Sequence, residues 1–176
     1  MGIEAILVKA DVSKPQDVTK LFKKSLEKFK KVDILINNAA LAEEKVPFMK
    51  ASYSDILQMI NTDLISVMVC SQYAVKIMQK QGSGKIINTS SVRGIDYMGT
   101  VGTVVYSSAK AGVSSFTKTL AKLVAPTIHV NAIAPGYVKT RGYDGLTKKE
   151  LNRRIQLTQL KRFIRTEEIA DAFVFL

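Results

Sequence analysis

The stretch VDILINNAA at residues 32–40 sets a pattern that the chain repeats. Val32 to Ile36 is apolar apart from Asp33 and rich in branched side chains, and Asn37-Asn38-Ala39-Ala40 breaks it. Lys85 to Asn88 leads a second run of this kind, stopping at Thr89-Ser90-Ser91. Ile128 to Ile133 forms a third, stopping at Ala134-Pro135-Gly136, and Ile3 to Val8 reads as a further one ending at Lys9-Ala10-Asp11. Short apolar runs bounded by turn residues predict strands. Longer stretches between them carry apolar residues three and four apart, which predicts helices. One starts near Pro15 and presents Val18, Leu21, Phe22, Leu26 and Phe29. A second runs from Ser54 to about Lys80, ended by Gly82-Ser83-Gly84, and a third covers about 104–123. A basic helix at about 147–157 and a last helix from Thr166 complete the series. Strands alternating with helices predict right-handed βαβ units, hence an α/β fold with a parallel sheet and helices on both faces. Ligands in such sheets bind beyond the carboxyl ends of the strands. Asp11, Asn37–Ala40, Ser90–Ser91 and Pro135–Gly136 are therefore expected to converge on one rim.

Composition bounds the function. The chain has 176 residues, 47% hydrophobic and 23% charged, which suits one globular domain, 1–176, and excludes a disordered or low-complexity segment. No apolar run approaches the ~20 residues of a membrane span. The first residues carry Glu4 and Asp11 and lack a basic leader, so neither a signal peptide nor a membrane partner is expected. Cys70 is the sole cysteine, which fits a reducing, cytoplasmic setting; it reads as a small buried hydrophobe on a helix. His129 reads as a core or edge histidine, and one His with one Cys excludes an ordinary zinc site, so no metal is expected. The net charge of +11 is concentrated at residues 14–31 and 139–165. Both stretches read as solvated outer faces of amphipathic helices, with docking of a polyanion or an acidic carrier as the alternative.

Tyr106 and Lys110 stand four apart on a predicted helix and so share a face. A nearby ammonium favours phenolate, and a tyrosine tuned in this way can serve as general acid or base. A hydroxyl such as that of Ser91, at the end of the adjacent strand, could bond a carbonyl oxygen beside it. With six tyrosines and many lysines in the chain, the spacing alone is expected about once by chance. What distinguishes the pair is its company.

That company resembles the short-chain dehydrogenase/reductase family, with motifs in the family's order along nearly the whole chain. They are Asp11-Val12 after a strand, VDILINNAA at 32–40, IINTSS at 86–91, YSSAKAG at 106–112, VNAIAPGYVKT at 130–140 and RTEEIADAFVFL at 165–176. The overall flavour is that of 3-oxoacyl-[acyl-carrier-protein] reductases or sugar-alcohol dehydrogenases. The resemblance implies a Rossmann-type doubly wound domain, NAD or NADP as cofactor, and hydride transfer to or from a carbonyl/alcohol substrate, which a carrier could bear. It implies Tyr106 as catalytic acid/base, Lys110 as its partner and a holder of the nicotinamide ribose, and Ser91 as the group orienting the substrate oxygen. Asp11 and Val12 would contact the adenine end, Asn38 and Ala39 the adenosine ribose, and Pro135, Gly136, Val138 and Thr140 the nicotinamide. Arg93 and Tyr97 are candidates for the substrate pocket. The resemblance also implies a homo-oligomer, dimer or tetramer. It would form through the helices at 54–80 and 104–123, with Met68, Cys70, Val75, Val104 and Phe116 in the apolar stripe or the core beneath it.

The chain departs from the family pattern in four places. The glycine-rich turn between the family's first strand and helix is absent, and the run at 3–9 corresponds to the family's third strand. The first two strands are thus expected to be lacking, leaving the run at 3–9 without the neighbours it needs. The last strand is likewise expected to be lacking. The family's helix asparagine, which supports a water relay to the lysine, falls at Asp63, counting back from Cys70-Ser71-Gln72. NNAG reads NNAA, and the loop between Ser91 and Tyr106 is slightly long. The resulting expectation is a competent Ser-Tyr-Lys design in a chain that alone binds cofactor poorly. The rival readings are a non-catalytic fragment of such an enzyme and a basic nucleic-acid-binding module. The latter lacks any aromatic-rich basic strand or recognition motif, so no nucleic-acid partner is expected.

Overall fold

A computed structural model describes residues 3–41, 46–95 and 99–176. Tyr97 lies outside the described residues. Helix α1 (Pro15–Phe29) has proline in its first turn, where the ring costs no hydrogen bond, and Asp17 at the positive end of its dipole. Strand β1 (Ile34–Asn37) follows. Helix α2 (Tyr53–Ile60) is started by a reciprocal cap between Ser52 and Asp55 and passes through a π turn (Asn61–Ile65) into α3 (Ser66–Gln81). Strand β2 (Gly84–Thr89), α4 (Val104–Val124), β3 (Ile128–Ile133), α5 (Lys148–Gln156) and α6 (Thr166–Phe175) complete the order.

The three strands form one parallel sheet in the order β1-β2-β3, with Leu35 opposite Ile86 and Ile86 opposite Val130. Each crossover steps in the same direction, so right-handed connections put α3 and α4 on one face. Val18 and Phe22 of α1, Cys70, Ala74 and Met78 of α3, Val124 of α4, and Ile86, Ile128 and Val130 of the sheet form the core on that face. Phe22 stacks on Tyr73 at 5.3 Å between centroids. A polar ladder crosses the same layer. Asn37 donates to Ser71 at 3.1 Å and to Asn88 at 2.8 Å, and Asn88 donates to Thr117 at 2.9 Å. Each buried amide is thereby satisfied, which fixes the strand register. The opposite face receives the end of α6, where Lys85 Nζ donates to the Leu176 carbonyl at 2.7 Å. On that face Ile34 is 55% and Ile36 48% exposed.

Two expectations about strands are corrected. The run at 3–9 is not a strand: it makes no ladder, and Ile3 and Leu7 stand in solvent. A strand is defined by pairing, and apolar composition supplies no partner. The second correction moves β1 two residues, from Val32–Ile36 to Ile34–Asn37. The Gln81 side chain takes both backbone groups of Val32, at 3.0 and 2.9 Å, so the ladder starts later. Asn37, expected to break the strand, instead pairs with Asn88. The long helix at 54–80 forms with one irregularity, the π turn, that periodicity does not reveal. Cys70 is buried in the core and His129 is exposed on edge strand β3. Among the described residues no helix is long and apolar enough to cross a membrane.

Candidate active site

Backbone bonds zip the exits of β2 and β3 together. The Ser90 N–H donates to the Ile133 carbonyl at 2.8 Å, and the Val92 N–H to the Pro135 carbonyl at 3.1 Å. Ser91 then caps a 3₁₀ turn (Val92–Gly94), its Oγ accepting from the Arg93 N–H at 3.1 Å. The turn lies directly on α4. A Cβ on Gly94 would fall 2.5 Å from the Ala111 nitrogen and would overlap the Lys110 backbone carbon. Ser90 Oγ donates to the Lys110 carbonyl at 2.9 Å and lies 2.7 Å from Ser114 Oγ. The end of β2 is thus pinned to the middle of α4, the helix that presents Tyr106 and Lys110 on one face.

The Ser91 and Tyr106 hydroxyls face each other, close enough for the serine to favour the phenolate. Lys110 is 2% exposed; its Nζ donates to the Thr89 carbonyl at 3.0 Å and stands 5.7 Å from the centre of the Tyr106 ring. The structure therefore brings Ser91, Tyr106 and Lys110 together. Burial dominates their acidities. It pushes Tyr106 above the usual phenol range, against the Ser91 hydroxyl; Asp63 and Tyr143 push it further up, and Arg93 pulls it down. The lowering of Tyr106 expected from Lys110 is not the prevailing effect in this geometry: burial is the largest cause and the shift is upward. Lys110 is pushed down by burial and held up in part by Asp63.

Asp63 joins this group from the π turn and is fully buried. Its Oδ1 accepts from the Leu41 N–H at 2.6 Å. Its Oδ2 has no hydrogen-bond partner among the described residues. Burial raises its pKa, opposed first by the Leu41 bond and then by the Lys110 charge.

Some of the expected cofactor-facing residues also gather here. Asn38 Oδ1 accepts from Thr89 Oγ1 at 3.0 Å, which places the turn after β1 beside the end of β2; Ala39 follows it, exposed. Pro135 is held to Val92, Val138 bridges to Ile164, and exposed Thr140 opens the next turn. Asp11 and Val12 stand in the turn that leads into α1. The Asp11 carboxylate is engaged locally by Ser13, at 3.0 and 2.7 Å, and by Lys14 at 3.5 Å.

An aromatic and cationic wall beside Ser91 was not foreseen beyond Arg93. The Arg93 guanidinium donates to the Tyr137 hydroxyl. Tyr137 meets Phe163 edge-on at 6.4 Å, Tyr143 meets Phe163 at 5.1 Å, and Arg154 lies 5.1 Å over the Tyr143 ring. The available signal was position: Tyr137 follows Pro135-Gly136 at a strand end.

Comparison with known proteins agrees with this arrangement. A family model described as enoyl-(acyl carrier protein) reductase matches residues 1–176. The chain is 39% identical to the 3-oxoacyl-[acyl-carrier-protein] reductase of Synechocystis sp., over 99% of this chain and 69% of the relative. It is 35% identical to the cis-4-hydroxycyclohexanecarboxylate dehydrogenase of Sinomonas cyclohexanicum, over 99% and 70%. The 3-oxoacyl-[acyl-carrier-protein] reductase FabG of Aquifex aeolicus is 34% identical, also over 99% and 70%. A parallel α/β sheet, a serine–tyrosine–lysine group at its strand ends and a full-length family match place the chain in the short-chain dehydrogenase/reductase family of oxidoreductases.

Proposed function

We propose that the chain is a single dinucleotide-binding domain that interconverts a carbonyl and an alcohol with NAD or NADP, and that its substrate is a 3-oxoacyl thioester on an acidic carrier. The observation that carries this reading is the Ser91–Tyr106 hydroxyl pair backed by the buried Lys110 ammonium. The donors present suit the nicotinamide half of such a cofactor. Lys110 has N–H groups beyond the one given to Thr89, and a Cβ at Gly136 would meet Ile164 Cδ1 at 3.7 Å, an ordinary contact that leaves the backbone accessible on its other side. Tyr106 and Lys110 would hold the nicotinamide ribose, Pro135, Gly136, Val138 and Thr140 the nicotinamide, Asn38 and Ala39 the adenosine ribose, and Asp11 and Val12 the adenine end. When bound, the cofactor supplies or accepts a hydride at the carbonyl carbon.

The chain's own groups handle the proton. Ser91 donates a hydrogen bond to the substrate oxygen and keeps it beside Tyr106. Tyr106 gives its phenolic proton to that oxygen on reduction and takes it back on oxidation. Its raised pKa keeps it protonated near neutral pH, so reduction is the favoured direction there and oxidation needs a more basic medium. Lys110 offsets the charge that develops on the phenolate, and Asp63 stands behind it.

The acidic carrier is inferred from the exposed Lys148, Lys149 and Arg153 of the basic α5, together with the names of the relatives. A homo-oligomer through α2–α4 is inferred from the exposed Leu57, Ile65 and Val104; a cytoplasmic location follows from the reductive chemistry. Titration of NADH and NADPH, following nicotinamide fluorescence, with acetoacetyl thioester then added, tests the reading. A signal that saturates only toward millimolar cofactor, with slow consumption of reduced cofactor, is expected. Absence of both at millimolar cofactor would favour the non-catalytic fragment.

A further inference from the structure

We propose that the run at 3–8 of one chain adds as an antiparallel strand to the β1 edge of a second copy, and the second copy's run to the first, giving a strand-exchanged dimer. Two features of the fold are unpartnered and complementary. One is the run itself: Ile3, Ile6 and Leu7 are exposed, and among the described residues its backbone joins no ladder. The other is β1, the outer strand of the sheet. An outer strand presents a row of N–H and C=O groups to any extended chain. An apolar groove follows that edge, lined by Leu21, Phe22 and Phe29 of α1 with Val32, Ile34 and Leu35. Ile34 and Ile36 are exposed on the face away from α3.

Charge selects the direction, and the direction selects the occupant. In an antiparallel pairing with Lys9 opposite Asp33, Val8 faces Ile34, Leu7 faces Leu35 and Ile6 faces Ile36. Directly opposed residues share a face of the sheet. Ile6 and Val8 therefore cover the exposed Ile34 and Ile36, while Leu7 joins Leu35 against the core. A parallel pairing that keeps Leu7 against Leu35 sets Lys9 beside Asn37 and leaves Asp33 beside Ala5. The chain's own run points the parallel way. Its Glu4 pairs with Lys28 in the last turn of α1, the end from which the chain leads into β1. Its far end is held at the start of α1, where the Asp11 N–H donates to Asp17 Oδ2 at 2.8 Å. The antiparallel seat is thus open to a second copy and closed to the chain's own run. Reciprocal exchange uses the same two surfaces in each chain, which closes a two-fold dimer. The Glu4–Lys28 pair that the run gives up is exposed and contributes little.

The test is sedimentation equilibrium of the chain, of Lys9→Asp, of Asp33→Lys, and of the two variants mixed in equal amounts. Expected is self-association of the chain, weakened about tenfold or more in each variant, because two cross-strand pairs per dimer turn from attractive to repulsive. Both positions are exposed, so the circular dichroism of the variants should match that of the chain. Mixing the two variants should restore the affinity, since each run then meets an edge of opposite charge in its partner. A run docked within its own chain is not rescued by mixing, and association through α2–α4 is indifferent to both charges. A chain that is monomeric at its highest soluble concentration overturns the proposal. So do variants that assemble as far and as tightly as the chain, or a mixture no tighter than either variant alone.

Discussion

Gly94→Ala is the most informative packing change. The turn Val92–Gly94 rests on α4 so closely that a methyl group at Gly94 would meet three atoms of Lys110 and Ala111, the Ala111 nitrogen at 2.5 Å and Lys110 Cβ at 2.8 Å among them. Two of the three are helix backbone and cannot swing aside, so the turn must lift. Overpacking of this kind costs about 1–3 kcal/mol. Loss of chain freedom in the unfolded state returns about 0.4–1 kcal/mol, since glycine becomes alanine. The control Gly145→Ala receives the same return, so the two variants should differ by about 1–3 kcal/mol, or roughly 2–12 °C in Tm for a chain of this size. Ser91 accepts from Arg93 and, through its carbonyl, from the Gly94 N–H at 2.9 Å. Lifting the turn therefore also draws its hydroxyl from Tyr106. Gly145→Ala is the control, because a Cβ there meets nothing within 4 Å. Thermal unfolding by circular dichroism compares the two. Equal Tm values for Gly94→Ala and Gly145→Ala would refute the close approach of turn and helix.

Met78 is fully buried in the core, so Met78→Ala should cost about 2–5 kcal/mol, read as a lower denaturation midpoint in urea at unchanged slope. Burial holds the Lys110 pKa below its usual 10.5, so the folded state binds this proton less tightly than the unfolded chain. Stability should therefore rise with pH up to about 10.5 on account of Lys110, and Lys110→Met should flatten that rise; parallel pH–Tm curves for the two proteins would contradict it. The 176-residue sequence has no glycine-rich turn leading from a strand into a helix, and backbone N–H groups at such a turn are what hold a pyrophosphate. Binding of NADH and NADPH by this chain should therefore be weak, with isothermal titration showing no saturation at micromolar cofactor.

The alternation of apolar runs and helical periods made the fold class legible. Each strand after the first lies within two residues of its expected place, because β-branched runs ending in Asn, Ser or Pro-Gly leave few alternatives. The run at Ile3 to Val8 has the same composition, yet it is not a strand, since pairing is a tertiary property. The move of β1 traces to one side chain, Gln81, capturing Val32, a contact across 49 residues that no local pattern carries. Ser91, Tyr106 and Lys110 were legible because helix spacing and strand ends fix them relative to the sheet. The local engagement of the Asp11 carboxylate by Ser13 and Lys14 is a detail that the strand-end pattern does not carry. The direction of the Tyr106 shift was also beyond the sequence. It depends on how deeply the phenol is buried and on the balance of Asp63, Tyr143 and Arg93 around it.

The proton-donor role of Tyr106 is tested most directly by comparing the chain with its Tyr106→Phe variant in a single-turnover reduction of acetoacetyl thioester. Deuterated reduced cofactor is supplied at millimolar concentration, and product deuterium is read by mass spectrometry. Loss of the phenolic proton leaves the core and the Lys110–Thr89 bond in place, so cofactor fluorescence should be retained while deuterium transfer falls by about 10²–10⁴-fold. Equal deuterium incorporation by the two proteins would contradict the assignment of the Ser91–Tyr106–Lys110 group as the reacting site.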